Sequence, residues 1–148
     1  MALTTGARRG ELLGLLWRDV DLNRANAFVH SSKNGEPRVL PLVPAVVTEL
    51  KRFQGKPDDL VFGSARKPGK AMDISSHWRS ALQQAKIEQF RFHDLRHSCA
   101  STLAQNGASL LEIADVLGHR TMTMVRRYSH LSVDSKRRLV GRVLGNLA

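Results

Sequence analysis

Cysteine is almost absent from this chain of 148 residues, which contains a single one. One cysteine excludes an internal disulfide and a cysteine-rich zinc site. No apolar run approaches the roughly 18 residues of a membrane-spanning helix, and the N-terminus lacks the apolar stretch of a secretory signal. These absences predict a protein of a reducing compartment, most simply a cytoplasm, that does not bind a membrane.

Acidic residues are the second shortage, since 13 Asp and Glu stand against 23 Lys and Arg and give a net charge of +10 at pH 7. Such an excess in a chain of one-domain size is typical of a protein that binds a polyanion such as nucleic acid. A protein that is merely basic remains an alternative. A basic helix on a membrane surface is disfavoured, because the positive charge is spread along the whole chain.

The hydrophobic periodicity predicts an α+β fold that is mainly helical, with one small three-stranded antiparallel sheet. Lys33 is expected at the tip of a hairpin in that sheet, because the Asn-Gly pair after it favours a type I′ turn. The strands are expected over 20–22, 27–31 and 38–42. Helices are expected over 7–17, 93–106, 109–118 and 122–128, with others beginning near 44, 73 and 132.

One predicted helix contains residues 93–97, which read His-Asp-Leu-Arg-His. One face presents His93, Arg96 and His97, a set suited to holding a phosphate. A solvated polar face is the alternative. A zinc site is disfavoured, because the two-histidine motif of metalloproteases has Glu where this chain has Asp94. The other face, which we expect in the core, carries Leu95, Cys99, Thr102 and Leu103.

Arg8 shares a helical stripe with Leu12 and Leu15, which predicts that its guanidinium is partly buried. A buried guanidinium needs a partner, and Glu11 lies one turn further along the helix. The two residues form either a structural ion pair or a rigidly held cation that faces a bound phosphate. Thr5 is the predicted N-cap of this helix.

Tyr128 is the only tyrosine of the chain, and Arg126, Arg127 and His130 lie close to it in sequence. These neighbours predict a lowered pKa for the phenol and hence a nucleophile suited to a phosphodiester. The alternative is an ordinary core aromatic residue. Cys99 is expected to be buried and inert.

Several segments together resemble the tyrosine recombinases, also called phage integrases. Residues 5–13 (Thr-Gly-Ala-Arg-Arg-Gly-Glu-Leu-Leu) resemble the first arginine box of that family, and residues 93–97 resemble its His-x-x-Arg box. Residues 117–119 (Leu-Gly-His), with Tyr128 nine residues after the histidine, resemble its third box. Lys33 matches the lysine of the family's β-hairpin. The resemblance implies the catalytic-domain fold of a tyrosine recombinase.

The resemblance also implies a role for each matching residue. Tyr128 would attack the scissile phosphate of DNA and form a 3′-phosphotyrosine. Arg8, Arg96 and His119 would bind the non-bridging oxygens. Lys33 would protonate the leaving 5′-oxygen, and His93 would handle the proton of the tyrosine. The expected supporting residues are Glu11 and His97, and the expected DNA-binding residues are Arg9, Arg66, Lys67, Lys70, Arg126 and Arg127.

The resemblance implies neither metal nor cofactor, and the implied partners are double-stranded DNA and other recombinase subunits in a tetrameric synapse. We expect residues 1–148 to be one catalytic domain, a fragment without the family's N-terminal DNA-binding domain and first catalytic-domain helix. The expected location is a cytoplasm, in association with the nucleoid. The expected source is a prokaryote or a phage. Three alternatives remain open: a DNA-binding integrase remnant without activity, a helix-turn-helix transcription factor and a type IB topoisomerase.

The predicted C-terminal helix has an apolar stripe beside a basic flank. We expect this helix to fold back on its own chain or to dock on a neighbouring subunit, because a stripe of this length is rarely left in water. Its apolar residues are Val140, Val143, Leu144 and Leu147.

Overall fold

The computed structural model describes residues 1–30, 37–119 and 121–145, without the side chains of 130–136, 138 and 139. Lys33 and the predicted hairpin turn therefore lie outside the described residues, as does Leu147. Within the described ranges, no helix is long and apolar enough to cross a membrane.

The predicted three-stranded antiparallel sheet is confirmed. Its strands are β1 (Val20–Asp21), β2 (Asn26–Val29) and β3 (Arg38–Pro41), in the order β1-β2-β3. Ala27 lies opposite Leu40 across the β2–β3 pair, and both side chains are buried. Side chains alternate between the two faces of a strand, so Arg38 lies on the same buried face as Leu40.

The remaining regular elements of the described residues are helical, as predicted. The α-helices are α1 (Ala2–Thr5), α2 (Arg9–Leu13), α3 (Pro44–Lys51), α4 (Ile74–Gln84), α5 (Asp94–Gln105), α6 (Leu110–Leu117) and α7 (Val133–Leu144). Three segments are 3₁₀ helices: Trp17–Asp19, Met122–Met124 and Arg126–Ser132. Asp73 caps α4, and Ser109 and Glu112 form a capping box at the start of α6.

The predicted helix over 7–17 is shorter than expected. Only α2 lies within that range, and the chain after Gly14 bonds instead to the backbone of residues 57–61. Helix α1 precedes the predicted range and ends at Gly6, which has the left-handed conformation with φ at 61°. Thr5 is not an N-cap but the buried last residue of α1, and its hydroxyl donates to the Met1 carbonyl oxygen at 3.0 Å. The N-cap position of α2 is occupied by Arg8.

Two further helix predictions need correction. The expected helix over 122–128 is formed instead by 3₁₀ turns that break at Val125. In α5, the buried residues are Arg96, Cys99, Ala100 and Ala104. Thr102, which we expected in the core, is exposed. The burial of Cys99 is confirmed.

The apolar residues form two clusters. The first contains side chains of α1, α2, the sheet and α3, and the second contains side chains of α5, α6 and the segment around Tyr128. Helix α5 packs against both α1 and α6. Its buried polar residue, Arg96, contacts both neighbours, which places the candidate site where the two clusters meet.

Candidate active site

Arg96 is the most buried cation of the described residues, with 4% of its surface exposed. Its Nη1 donates to the Gly6 carbonyl oxygen at 2.7 Å, and its Nη2 donates to the Leu117 carbonyl oxygen at 2.6 Å. A Cβ at position 6 would collide with the Leu117 side chain. Glycine at position 6 therefore allows the close approach that holds Arg96 in place.

The positive charge of Arg96 is not neutralised by an ion pair among the described residues. Burial, followed by repulsion from Arg8 and Arg38, lowers the pKa of Arg96 to about 10. The group is still a cation at neutral pH. The negative charge of Glu11 offsets this repulsion only in part. A buried cation without an ion pair is costly, so the site favours an anionic ligand.

Arg8 and Arg38 share one buried carboxylate. The Glu11 side chain is 2% exposed, and its Oε1 lies 2.8 Å from Arg8 Nη1. Arg38 binds the same carboxylate with two bonds, Nη1 to Oε1 at 3.0 Å and Nη2 to Oε2 at 2.9 Å. The Arg8 backbone N–H also donates to Glu11 Oε2, at 2.6 Å. The predicted pairing of Arg8 with Glu11 is confirmed.

Glu11 stays ionised despite its burial. Burial raises its pKa, but the hydrogen bonds from Arg38 and from the Arg8 backbone, with the attraction of Arg38, outweigh this and lower the pKa to about 2. The carboxylate therefore keeps a fixed negative charge that orients both arginines at neutral pH.

Arg38 is the site residue that sequence reasoning missed. It lies in β3, and its Nε donates to the Val116 carbonyl oxygen in α6 at 3.2 Å. It thus connects the sheet to Glu11 and to the end of α6. A signal was present in the sequence, since Arg38 alternates with exposed residues in phase with Leu40 and Leu42. A charged residue in phase with a buried stripe predicts a buried ion pair.

His119 follows directly after α6, where Gly118 turns the chain in the left-handed conformation with φ at 63°. Burial, together with repulsion from Arg96 and Arg8, lowers the pKa of His119 to about 4. The imidazole is therefore neutral at pH 7. Its Nδ1 is buried and has no hydrogen-bond partner among the described residues.

Tyr128 is 5% exposed and belongs to the second apolar cluster. Its hydroxyl oxygen lies 2.7 Å from His97 Nδ1. The prediction of a lowered phenol pKa was wrong: burial raises the pKa and outweighs the attraction of Arg127 and Arg96. The free chain therefore holds a protonated phenol, and attack by this oxygen requires a base.

His93 and His97 lie one turn apart in and before α5, with ring centroids 5.2 Å apart. His97 contacts the tyrosine hydroxyl, whereas His93 is exposed. The structure thus brings together Arg8, Glu11, Arg96, His97, His119 and Tyr128.

The predicted DNA-binding residues all have exposed side chains: Arg9, Arg66, Lys67, Lys70, Arg126 and Arg127. Arg127 also contributes to the electrostatic potential at His97, His119 and Tyr128. Among the described residues, no group of three or more His, Cys, Asp or Glu side chains is arranged to hold a metal ion.

The chain is similar in sequence to curated DNA recombinases and integrases. The chain is 34% identical to the shufflon-specific DNA recombinase of Escherichia coli over 151 aligned residues, which cover 97% of this chain and 38% of the relative. It is 36% identical to the integrase of Salmonella phage P22, covering 88% of this chain and 38% of the relative. It is 30% identical to the tyrosine recombinase XerD of Proteus mirabilis, over 87% of this chain and 45% of that protein. The chain thus spans less than half of each of these relatives.

Solved structures agree with the predicted catalytic-domain fold. The crystal structure of XerA recombinase superposes with a TM-score of 0.73 at 28% identity, over 95% of this chain and 55% of that one. The catalytic domain of bacteriophage HP1 integrase superposes with a TM-score of 0.71 at 25% identity, over 94% of this chain and 76% of that one. The model of the phage integrase family matches residues 1–134. The chain therefore belongs to the phage integrase family.

Proposed function

We propose that this chain carries the catalytic centre of a site-specific DNA recombinase, which cleaves and rejoins DNA through a 3′-phosphotyrosine at Tyr128. The observation that carries the proposal is the buried cation of Arg96, which makes no ion pair among the described residues and is near Arg8, His119 and the only tyrosine. Fixed cations of this kind stabilise the charge that develops on a phosphate during transfer.

In the proposed step, Tyr128 Oη attacks the scissile phosphorus, and the bond from phosphorus to the 5′-oxygen breaks. Arg8, Arg96 and His119 donate hydrogen bonds to the non-bridging oxygens. Lys33 supplies the proton that the leaving 5′-oxygen needs, in the role implied by the family. Attack by a 5′-hydroxyl of another strand reverses the step, so the exchange conserves bond energy and needs no ATP.

The partners belong to the same proposal. The exposed basic residues of the predicted set are suited to DNA phosphates, which are bound largely by Arg and Lys. Relatives named as recombinases, together with a transposon integrase of the same fold solved in complex with circular intermediate DNA, support double-stranded DNA as the substrate. Assembly with other subunits on DNA and a cytoplasmic location remain predictions.

The helix-turn-helix alternative is disfavoured by the segment after α6. A recognition helix must enter the major groove as a regular helix. Residues 122–132 instead form two 3₁₀ helices, and Tyr128 in the second is buried. An inactive DNA-binding remnant differs from the proposal in one respect, the absence of covalent chemistry, and that difference can be measured.

The test uses a duplex that is nicked close to the cleavage position, so that a short fragment leaves and the covalent complex is trapped. The parent chain is expected to form an adduct that survives denaturing electrophoresis. Tyr128→Phe removes only the hydroxyl, so it should form no adduct while its DNA affinity stays within about twofold. A parent chain that binds DNA but gives no adduct would leave the inactive remnant as the better description.

A further inference from the structure

The family resemblance assigns the proton of the tyrosine to His93. In the structure it is His97, one turn further along the chain, that contacts the hydroxyl. Its Nδ1 lies 2.7 Å from Tyr128 Oη, and the two rings are tilted by 44° with centroids 6.3 Å apart. His93 is exposed, and its ring lies nearly perpendicular to that of His97, with centroids 5.2 Å apart. A base must lie within hydrogen-bond reach of the proton that it takes.

The charge state of His97 suits an acceptor. Burial, followed by the nearby His93 and Arg127, lowers its pKa, and the attraction of Asp94 only partly offsets this. Arg91 lowers the pKa further from the loop before α5. The imidazole is therefore neutral at pH 7, with one ring nitrogen free to accept a proton.

We propose that His97 is a catalytic residue whose Nδ1 accepts the hydrogen bond of the Tyr128 hydroxyl and takes its proton during attack on DNA. The inference rests on the proposed function and deepens it by naming the base. The Oη–H bond breaks as the Oη–P bond forms, and the proton passes to Nδ1, which gives an imidazolium. When the 5′-hydroxyl of a second strand attacks, the same proton returns to Oη as the tyrosine leaves.

The two histidines differ in burial and in their contact with the tyrosine. His97 projects from α5 and is half-buried, and its ring contacts Tyr128 in the 126–132 segment. His93 is open to solvent at the N-terminus of α5. In this arrangement His93 lowers the pKa of His97, the residue that contacts the tyrosine.

The experiment measures the rate of adduct formation between pH 5.5 and 9 for the parent chain and for His97→Asn. Asparagine can accept the hydrogen bond of the hydroxyl but cannot take its proton. The parent rate should rise with pH through the His97 pKa and then level off. The variant should be roughly 10²-fold slower at pH 7, with the deficit shrinking as pH rises because hydroxide replaces the missing base. His77→Asn, an exposed histidine of α4, is the matched control and should follow the parent profile.

A deficit of the same size at every pH would mean that His97 only positions the tyrosine, and a rate within threefold of the parent would mean that it does neither. Both results overturn the inference and leave the proposed function intact, because the parent still forms its adduct. A parent chain without adduct overturns the proposed function itself. ¹⁵N NMR of the free chain adds a readout without activity: Nδ1 of His97 is expected to be unprotonated at pH 7, and a protonated Nδ1 also overturns the inference.

Discussion

At the scale of single residues, the site depends on one buried carboxylate that holds two arginines. Glu11 was predictable as the partner of Arg8, because a spacing of three residues places side chains on one face of a helix. The contribution of Arg38 was not predictable in detail, since it comes from a strand 27 positions away along the chain. The raised pKa of Tyr128 was not predictable either, because the sequence shows the neighbouring charges but not the burial of the side chain.

Arg38→Met should destabilise the fold by about 3 kcal/mol, the scale for removing one partner of a buried ion pair. Glu11 would keep Arg8 but lose both bonds from Arg38. Urea unfolding measures the effect, and Glu11→Gln combined with Arg38→Met should recover most of the loss.

The exposed pair of Arg52 and Glu49 offers a matched control, with side chains 72% and 65% exposed. Arg52→Met should change the free energy of unfolding by less than about 0.5 kcal/mol. If Arg38→Met were equally mild, the two bonds from Arg38 to Glu11 would contribute little to the stability of the fold.

At the scale of elements, three helix starts obey local rules, whereas the predicted Thr5 cap and the length of the first helix were wrong. The capping box of α6, the proline at the start of α3 and the Asp73 cap of α4 need no tertiary contact. The first arginine region was harder. Its helical pattern continues to Trp17, but the backbone after Gly14 bonds to residues 57–61, a long-range contact that no local rule reveals.

Gly118 connects α6 to His119, and no other residue fits there without cost. Its φ is +63°, and an added Cβ would lie 2.8 Å from Arg38 Nη1 and 2.9 Å from Arg38 Cδ. Gly118→Ala should therefore add a steric penalty of about 1–3 kcal/mol to the left-handed strain of about 1–2 kcal/mol. It should also slow adduct formation, because it displaces both Arg38 and His119.

Gly69→Ala isolates the strain from the clash. Gly69 has φ at +73°, but nothing lies within 4 Å of a Cβ added there. Thermal unfolding should show the smaller loss for Gly69→Ala, with adduct formation unchanged. Equal losses for the two variants would show that the contact between Gly118 and Arg38 has no energetic weight.

At the scale of the whole molecule, the fold class and the partner class were both predictable. The excess of positive charge indicated a polyanion, and the order of the matching boxes indicated the family. The packing of α7 was not predictable, because its stripe has no partner fixed by local rules. In the structure Val140, Val143 and Leu144 are 55%, 58% and 50% exposed. The expectation that this helix docks on a neighbouring subunit stays a prediction.

Salt should weaken DNA binding steeply if the positive charge serves phosphate contacts. With about three to five contacts, the log–log slope of affinity against salt should lie between about −2.7 and −4.5. Lys67→Gln, which removes an exposed predicted DNA contact, should flatten the slope by about 1. Arg52→Gln, a basic residue outside the predicted set, should leave it unchanged. A slope near zero for the parent chain would show that the positive charge does not contribute to DNA binding.

The identity of the residue that becomes attached to DNA tests the central claim most directly. Trypsin cleaves after Arg127 and Lys136, so Tyr128 lies in the peptide of residues 128–136. Mass spectrometry of the nuclease-trimmed adduct should find this peptide carrying a nucleotide through a 3′-phosphate on Tyr128, with no such peptide from Tyr128→Phe. A nucleotide attached to another residue, or an adduct of undiminished yield in the Phe variant, would contradict the account.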